Sequence, residues 1–201
     1  MDRNGAMERG TKKGELPPGL AELMRRAGEG APARPVEKWD PPHCGVIDMR
    51  IAADGTWFYM GTPITRPALV RLFASVMRRE PDGEYVLVTP VEKVGIHVDD
   101  APFLAVEMAV DGEADERRLT FRTNVDDVVT ADAEHPIRFA IEPQTLGVKP
   151  YVTVRAGLEA LLTRALTHDL VDLAQERKGA LGLISAGTFF SLPDISEDGA
   201  G

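Results

Sequence analysis

Thr65-Arg66-Pro67-Ala68-Leu69-Val70-Arg71-Leu72-Phe73-Ala74-Ser75-Val76-Met77 is the segment from which an architecture follows. Leu69, Leu72, Phe73, Val76 and Met77 recur at helical spacing, so one face is apolar. Thr65 supplies a capping hydroxyl, and Pro67 stands in the first turn, where its missing N–H is harmless. The spacing predicts a helix from about Arg66 to Arg79, stopped by Pro81-Asp82-Gly83. The pattern returns 89 residues later as Leu158, Leu161, Leu162, Ala165 and Leu166, with Arg155 in the place of Arg66. A second helix is therefore expected from about Ala156 to Gln175.

Strand signals surround both helices. Val46, Asp48, Arg50 and Ala52 alternate with Ile47, Met49 and Ile51; Ala53-Asp54-Gly55 turns the chain, and Thr56-Trp57-Phe58-Tyr59-Met60 returns it. Gly61-Thr62-Pro63 reads as a second turn. Further strands are expected at residues 85–89, 91–98, 103–110, 118–123, 127–130, 137–141, 151–154, 181–185 and 188–192. Two copies of a strand-strand-helix-strand unit give an α+β fold with two lobes, mostly antiparallel sheets and a cleft between them, a favoured place for a ligand. The expected division is a mobile arm over 1–38 with a short helix at Leu20–Ala27, lobes over 39–100 and 101–192, and a mobile tail over 193–201.

Composition sets the outer limits. The 201 residues are 43% hydrophobic and 27% charged, enough apolar content for a packed core. A single cysteine, Cys44, cannot close an internal disulfide. No apolar run is long enough to span a membrane, and the first residues lead into no apolar stretch, so a cytoplasmic protein without membrane insertion is expected. Residues 1–39 hold 8 basic and 6 acidic side chains, whereas the remainder holds 15 basic and 26 acidic. That balance of −11 repels a nucleic-acid polymer, which binds through many basic contacts. It still permits a small anion held by a few focused arginines.

Arg66 and Arg155 each stand where a helix is expected to begin, and both the exposed N–H groups and a guanidinium favour anions. An inter-lobe salt bridge uses the same residues equally well. Glu92 and Lys93 interrupt the apolar stretch Thr89-Pro90-Val91-Glu92-Lys93-Val94. As strand neighbours they point to opposite faces, one toward the cleft or a buried arginine, unless they only guard an edge. Asp48 and Arg50, with Trp57 and Tyr59 opposite, form either a stacking surface or cross-strand pairs. Asn124 after Thr123 is a turn cap or a contact. His43, His97, His135 and His168 show no metal-ligand spacing, and no phosphate loop or nucleophile elbow occurs. Catalysis would have to rest on Asp48, Glu92 or His168.

Several motifs together resemble one family. They are Pro41-Pro42-His43-Cys44-Gly45-Val46-Ile47-Asp48-Met49-Arg50-Ile51, Asp54-Gly55-Thr56-Trp57-Phe58-Tyr59, Gly61-Thr62-Pro63-Ile64-Thr65-Arg66-Pro67, Leu87-Val88-Thr89-Pro90-Val91-Glu92-Lys93-Val94, Asp100-Ala101-Pro102-Phe103, Thr123-Asn124 and Tyr151-Val152-Thr153-Val154-Arg155-Ala156-Gly157-Leu158. Residues 39–192 are thereby similar to the proteobacterial domain of unknown function 1285. Val46 stands where that pattern often has an acidic residue. The resemblance implies two lobes with a duplicated motif, a C-terminal lobe loosely like a pleckstrin-homology barrel, and a cleft for a nucleotide-like ligand with a role in signalling. It carries Asp48, Arg50, Trp57, Arg66, Glu92, Lys93, Asn124 and Arg155 over as cleft residues. The expected function is non-enzymatic binding of a small anionic ligand, with no cofactor or metal. A module docking a signalling protein is the alternative, and an enzyme acting on a phosphorylated small molecule is the third reading.

Overall fold

Alternation of apolar and polar side chains from Cys44 onward builds a long strand, and everything else in the first lobe packs against it. The computed structural model describes residues 16–26, 34–143 and 145–193. The first sheet contains β1 (His43–Ile51), β2 (Trp57–Tyr59), β3 (Thr62–Pro63), β4 (Met77–Arg79), β5 (Tyr85–Val88) and β6 (Lys93–Val98). Its order is β3-β2-β1-β6-β5-β4. Each three-strand meander is antiparallel, and the two meanders meet where β1 runs parallel to β6. Helix α2 (Pro67–Ser75) joins β3 to β4. Its buried Leu72 and Phe73 belong to the core that also holds Met49, Ile51 and Trp57. The Trp57 and Phe73 rings stack with centroids 6.3 Å apart.

The second sheet repeats this winding. Strands β7 (Phe103–Asp111), β8 (Arg118–Thr123), β9 (Val128–Thr130), β10 (Ile137–Ile141), β11 (Val148–Arg155) and β12 (Leu158–Leu162) take the order β10-β11-β12-β7-β8-β9. Again the first and sixth strands, β7 and β12, are the parallel central pair. Helix α3 (Arg164–Val171) follows, then a three-strand meander of β13 (Gln175–Arg177), β14 (Ala180–Ser185) and β15 (Thr188–Ser191). The fold is α+β with two lobes, and a duplication is present in its topology. Its unit is six strands rather than strand-strand-helix-strand. The copies begin at His43 and Phe103, 60 residues apart rather than 89. The second sheet is open, with β9 and β10 as its two edges, so strand order does not confirm the expected pleckstrin-like barrel.

The second helix is the main correction. Residues 158–162 are a strand whose burial alternates along its length, and only residues 164–171 are helical. Leu158 and Leu162 share a face in a strand as well as in a helix, so the apolar spacing fits both periods. Ala156 and Gly157 break the tie. Their φ values of +48° and +73° form a two-residue hairpin turn joining β11 to β12. Helix α2 likewise ends at Ser75, short of the expected Arg79, because Met77–Arg79 pairs with Tyr85–Leu87 across the turn at Gly83. Thr62–Pro63, read as a turn, is a short strand, and Met60-Gly61 is the turn. Near the start, α1 spans Pro18–Arg26, close to the expected Leu20–Ala27. The expected mobility of the rest of the arm and of the tail falls largely on residues outside those described.

Substitution at Gly157 separates the two readings of this region. In a helix interior Gly157→Ala would stabilise by about 1 kcal/mol. In the observed turn the residue has positive φ, and a Cβ would lie 3.3 Å from the Arg79 Cβ. Gly157→Ala is therefore expected to lower stability by about 1–2 kcal/mol, measured as a lower urea midpoint.

Candidate functional site

Arg66 and Arg155 stand at opposite ends of one helix. Arg66 is the extended residue before Pro67 at the start of α2; it is exposed and holds no acidic partner among the described residues. Arg155 closes β11 and reaches the other end, where its guanidinium donates to the Ala74 carbonyl at 2.9 Å. It also pairs with Asp127 at 3.2 Å and lies over the Phe103 ring. A cation at a helix C-terminus meets the negative end of the dipole. Eight residues at about 1.5 Å each put roughly 12 Å of helix between the two arginines. They do not converge on one hollow, and Arg155 is engaged in joining the lobes. Arg71 on α2 adds a second inter-lobe pair with Asp126 at 2.9 Å.

The β1–β2 register sorts the next group. Arg50 faces Phe58 across the strands, and Ile51 faces Trp57. Arg50 lies over the Phe58 ring and pairs with Asp99 at 3.2 Å. Trp57, only 1% exposed, belongs to the opposite, core-facing side and is not beside Arg50. Strand parity dictates this, since neighbouring residues alternate faces. Asp48 is exposed, and behind the larger effect of burial its charge helps push the Tyr59 phenol above its ordinary pKa. A shallow depression of about 260 Å³ lies along Tyr59, Thr62, Ile64 and Arg66.

Glu92, the last residue of a turn, and Lys93, the first of β6, point to different partners. Lys93 meets Glu80 at 2.7 Å, and the other oxygen of Glu80 is held by Arg78, also at 2.7 Å. Arg78 in turn donates to the Val36 and Trp39 carbonyls, fastening the segment that precedes β1. Burial opposes ionisation of Glu80, but Lys93 and Arg78 outweigh it and hold the carboxyl below its usual range. Glu92, 7% exposed, accepts the Leu20 N–H of α1 at 3.1 Å. Asn124 makes a contact rather than a turn cap: its side-chain oxygen accepts the N–H of Leu104 in β7 at 3.0 Å, and its amide nitrogen lies against the Gly55 turn of the first lobe. These expected cleft residues are thus spread over several parts of the molecule, and most already hold partners within the chain.

A larger hollow lies elsewhere, in the second lobe. A cavity of about 740 Å³ opens between α3, the end of β12 and the loop joining β10 to β11. Val148, Pro150, Leu161 and Leu162 form apolar wall; Arg164, Lys149 and His168 bring basic groups, and Glu142 and Asp172 bring carboxylates to the same lining. A small apolar crevice continues from it past Phe139, Leu170 and Leu183. Arg164 and His168 are one turn apart on α3, so they share a face, and neither has an acidic partner among the described residues. Lys149 is held by Asp100, which also accepts the Tyr151 hydroxyl at 2.8 Å. Burial, then Asp100, raises the Tyr151 phenol, while Asp100 raises the Lys149 ammonium against the effect of burial. Placing Arg164 and His168 inside a long helix hid this arrangement. Thr163 before Arg164 was the available signal, as the residue before a helix start. Among the described residues no His, Cys, Asp or Glu side chains gather as metal ligands, and no helix is long and apolar enough to cross a membrane.

Known proteins give a consistent comparison. A model described as "Domain of unknown function (DUF1285), N-terminal domain" matches residues 34–101, and its C-terminal counterpart matches residues 102–192. A crystal structure of a DUF1285 family protein from Silicibacter pomeroyi DSS-3 is 52% identical, covering 87% of this chain and 94% of that one, with a TM-score of 0.80. A second, from Shewanella baltica OS155, is 29% identical over 63% of this chain and 92% of that one, with a TM-score of 0.50. No curated protein matches the chain.

Two outcomes follow from these contacts. Without added ligand, Arg155→Ala should cost about 2 kcal/mol because it removes charged hydrogen bonds at the lobe junction, whereas Arg66→Ala should stay within about 0.5 kcal/mol, as read from denaturant midpoints. The second concerns Glu80. A carboxyl held low in the folded state stabilises above its unfolded pKa and loses that contribution as pH falls through the folded value. Stability should therefore drop below about pH 4.5, and Glu80→Gln should flatten this acid limb in a pH series of thermal melts.

Proposed function

The chain belongs to the DUF1285 family, and on that premise we propose that it is a non-enzymatic binding protein for a small anionic ligand. The ligand is placed in the cavity of the C-terminal lobe rather than between the lobes. The observation carrying this reading is the 740 Å³ hollow, with an apolar wall on one side and Arg164 without an acidic partner on the other. Its size falls within the range of small-molecule sites, roughly 300–1,000 Å³. A guanidinium at the start of α3 suits a phosphate or carboxylate, because its planar fork and the free N–H groups of the first turn act together. The His168 ring supplies a second N–H donor one turn further on. Val148, Pro150 and Leu161 suit a flat or aliphatic body, so a nucleotide fits the chemistry. Such a ligand would bridge α3 and the β10–β11 loop, and occupancy could be reported as a change in their relative position.

Docking of a signalling protein is favoured by one separate observation. Leu146 and Val171 at the cavity are 64% and 48% exposed, more apolar surface than a hydrophilic ligand covers. Thermal melts with nucleotides, sugar phosphates and aliphatic carboxylates at millimolar concentration distinguish the readings. The expected result is a raised Tm with at least one anion, with binding weakened about tenfold or more, some 1.4 kcal/mol, by Arg164→Ala and unaffected by Arg66→Ala. No shift with any compound, or a shift that survives both Arg164→Ala and the cavity-filling Leu161→Trp, would overturn the small-anion reading.

A further inference from the structure

The Thr89-Pro90-Val91-Glu92 turn has no role in the proposed ligand site, yet it is closed by several polar bonds of its own. The Thr89 hydroxyl accepts the Glu92 N–H at 3.2 Å and donates to the Glu92 carbonyl at 3.2 Å, while the Thr89 N–H reaches the same carbonyl at 2.9 Å. These bonds fix the backbone of Glu92, whose carboxylate accepts the Leu20 N–H 72 residues away in sequence. Leu20 lies in the first turn of α1, where an amide has no partner within the helix. Glu92 thus acts as an N-cap supplied from another part of the chain, and its negative charge meets the positive end of the helix.

The fit is restrictive. A Cβ on Gly19 would stand 2.5 Å from the Thr89 hydroxyl and 2.7 Å from the Glu92 carboxylate, so only glycine seats there. Pro18, one residue earlier, has no N–H to satisfy, and the Leu20 side chain is completely buried. Leu16 and Met24 pack against the core beside it. Pro18-Gly19-Leu20 is therefore read at three successive positions: no donor, no side chain, then an apolar plug beneath a capped amide. The attachment is also narrow. The helix joins no sheet, and its described backbone link to the lobe is the single bond to Glu92. The β6 strand following the same turn is instead hydrogen-bonded on both sides, to β5 and to β1. Segments held by few contacts open at lower free energy than the sheets they rest on.

From this contrast we propose that α1 is a detachable strap: residues 16–26 enter and leave the Thr89–Glu92 socket as a unit while the first sheet stays folded. Release uncovers a leucine-sized apolar hollow with a carboxylate at its rim, and redocking closes it. The proposal is independent of the anion site, which lies in the other lobe.

Amide hydrogen exchange on the full chain tests it. The Leu20 amide should exchange at least tenfold more slowly than an unstructured amide and at least tenfold faster than Val94 and Ile96 in β6. Gly19→Ala and Glu92→Ala should each speed exchange across residues 19–26 by tenfold or more and leave Val94 and Ile96 unchanged. Exchange of Leu20 in step with β6 would overturn the proposal, because α1 would then be part of the global core. An unprotected Leu20 in the wild type, no effect of Gly19→Ala, or a Glu92→Ala chain whose β6 amides lose protection along with α1 would overturn it as well.

Discussion

Both large sheets depend on a parallel seam. Where β1 lies beside β6, and again where β7 lies beside β12, two antiparallel meanders become one six-strand surface. Without that contact each lobe would be a pair of three-strand ribbons with short edges and little core between them. The seam also places the polar groups that matter. It sets His43 opposite Lys93 and leads β6 out of the Thr89–Glu92 turn, so α1 docks beside the strand in the middle of the sheet. A bulge at Gly45, with φ near +91°, lets β1 follow this path despite a shift in register.

Most ion pairs lie within a lobe, and a few charges tie the lobes together. Arg155, Arg71 and Lys149 each meet an aspartate or a helix carbonyl across or beside the junction. Among the described arginines without an acid partner are Arg66 at the start of α2 and Arg164 at the start of α3. A chain with net charge −9 does not need extra cations for solubility, which draws attention to those that remain uncompensated beside a hollow. Arg164 has such a hollow of nucleotide size, while Arg66 has only a shallow one.

Duplication of the strand winding did not duplicate the surroundings. In the first copy a helix fills the link between the third and fourth strands, and its far end becomes the landing place for Arg155. In the second copy that link contains no helix, and α3 comes after the sixth strand, where it borders the cavity. The two helices therefore do different work: α2 joins the lobes, and α3 forms a wall of the hollow.

Local pattern was legible wherever the interaction is local. The β1–β2 hairpin, the start of α2 at Pro67, and strands β8 and β10 at their observed bounds follow from alternation, turn residues and periodicity within a few positions of each other. The cap position of α2, however, is Arg66, without a side-chain capping bond, and not Thr65. Leu158–Leu162 was misread because its apolar spacing satisfies both periods, and the two positive φ values before it are enforced by pairing with β11. Of the candidate residues, Lys93 and Asn124 have partners 13 and 20 residues away, Glu80 and Leu104, which strand pairing brings beside them. Trp57 needed the register with Ile51 to show its face, and Arg155 needed the end of a helix 81 residues away. Glu92 needed Leu20, and Arg164 needed a loop from another hairpin to make it part of a cavity. Sequence therefore settled most strands, the start of α2 and the acidic character of the chain, because propensity and composition act residue by residue. Which charges were already spoken for, and where an empty volume remained, came from contacts between distant segments that no window of neighbouring residues contains.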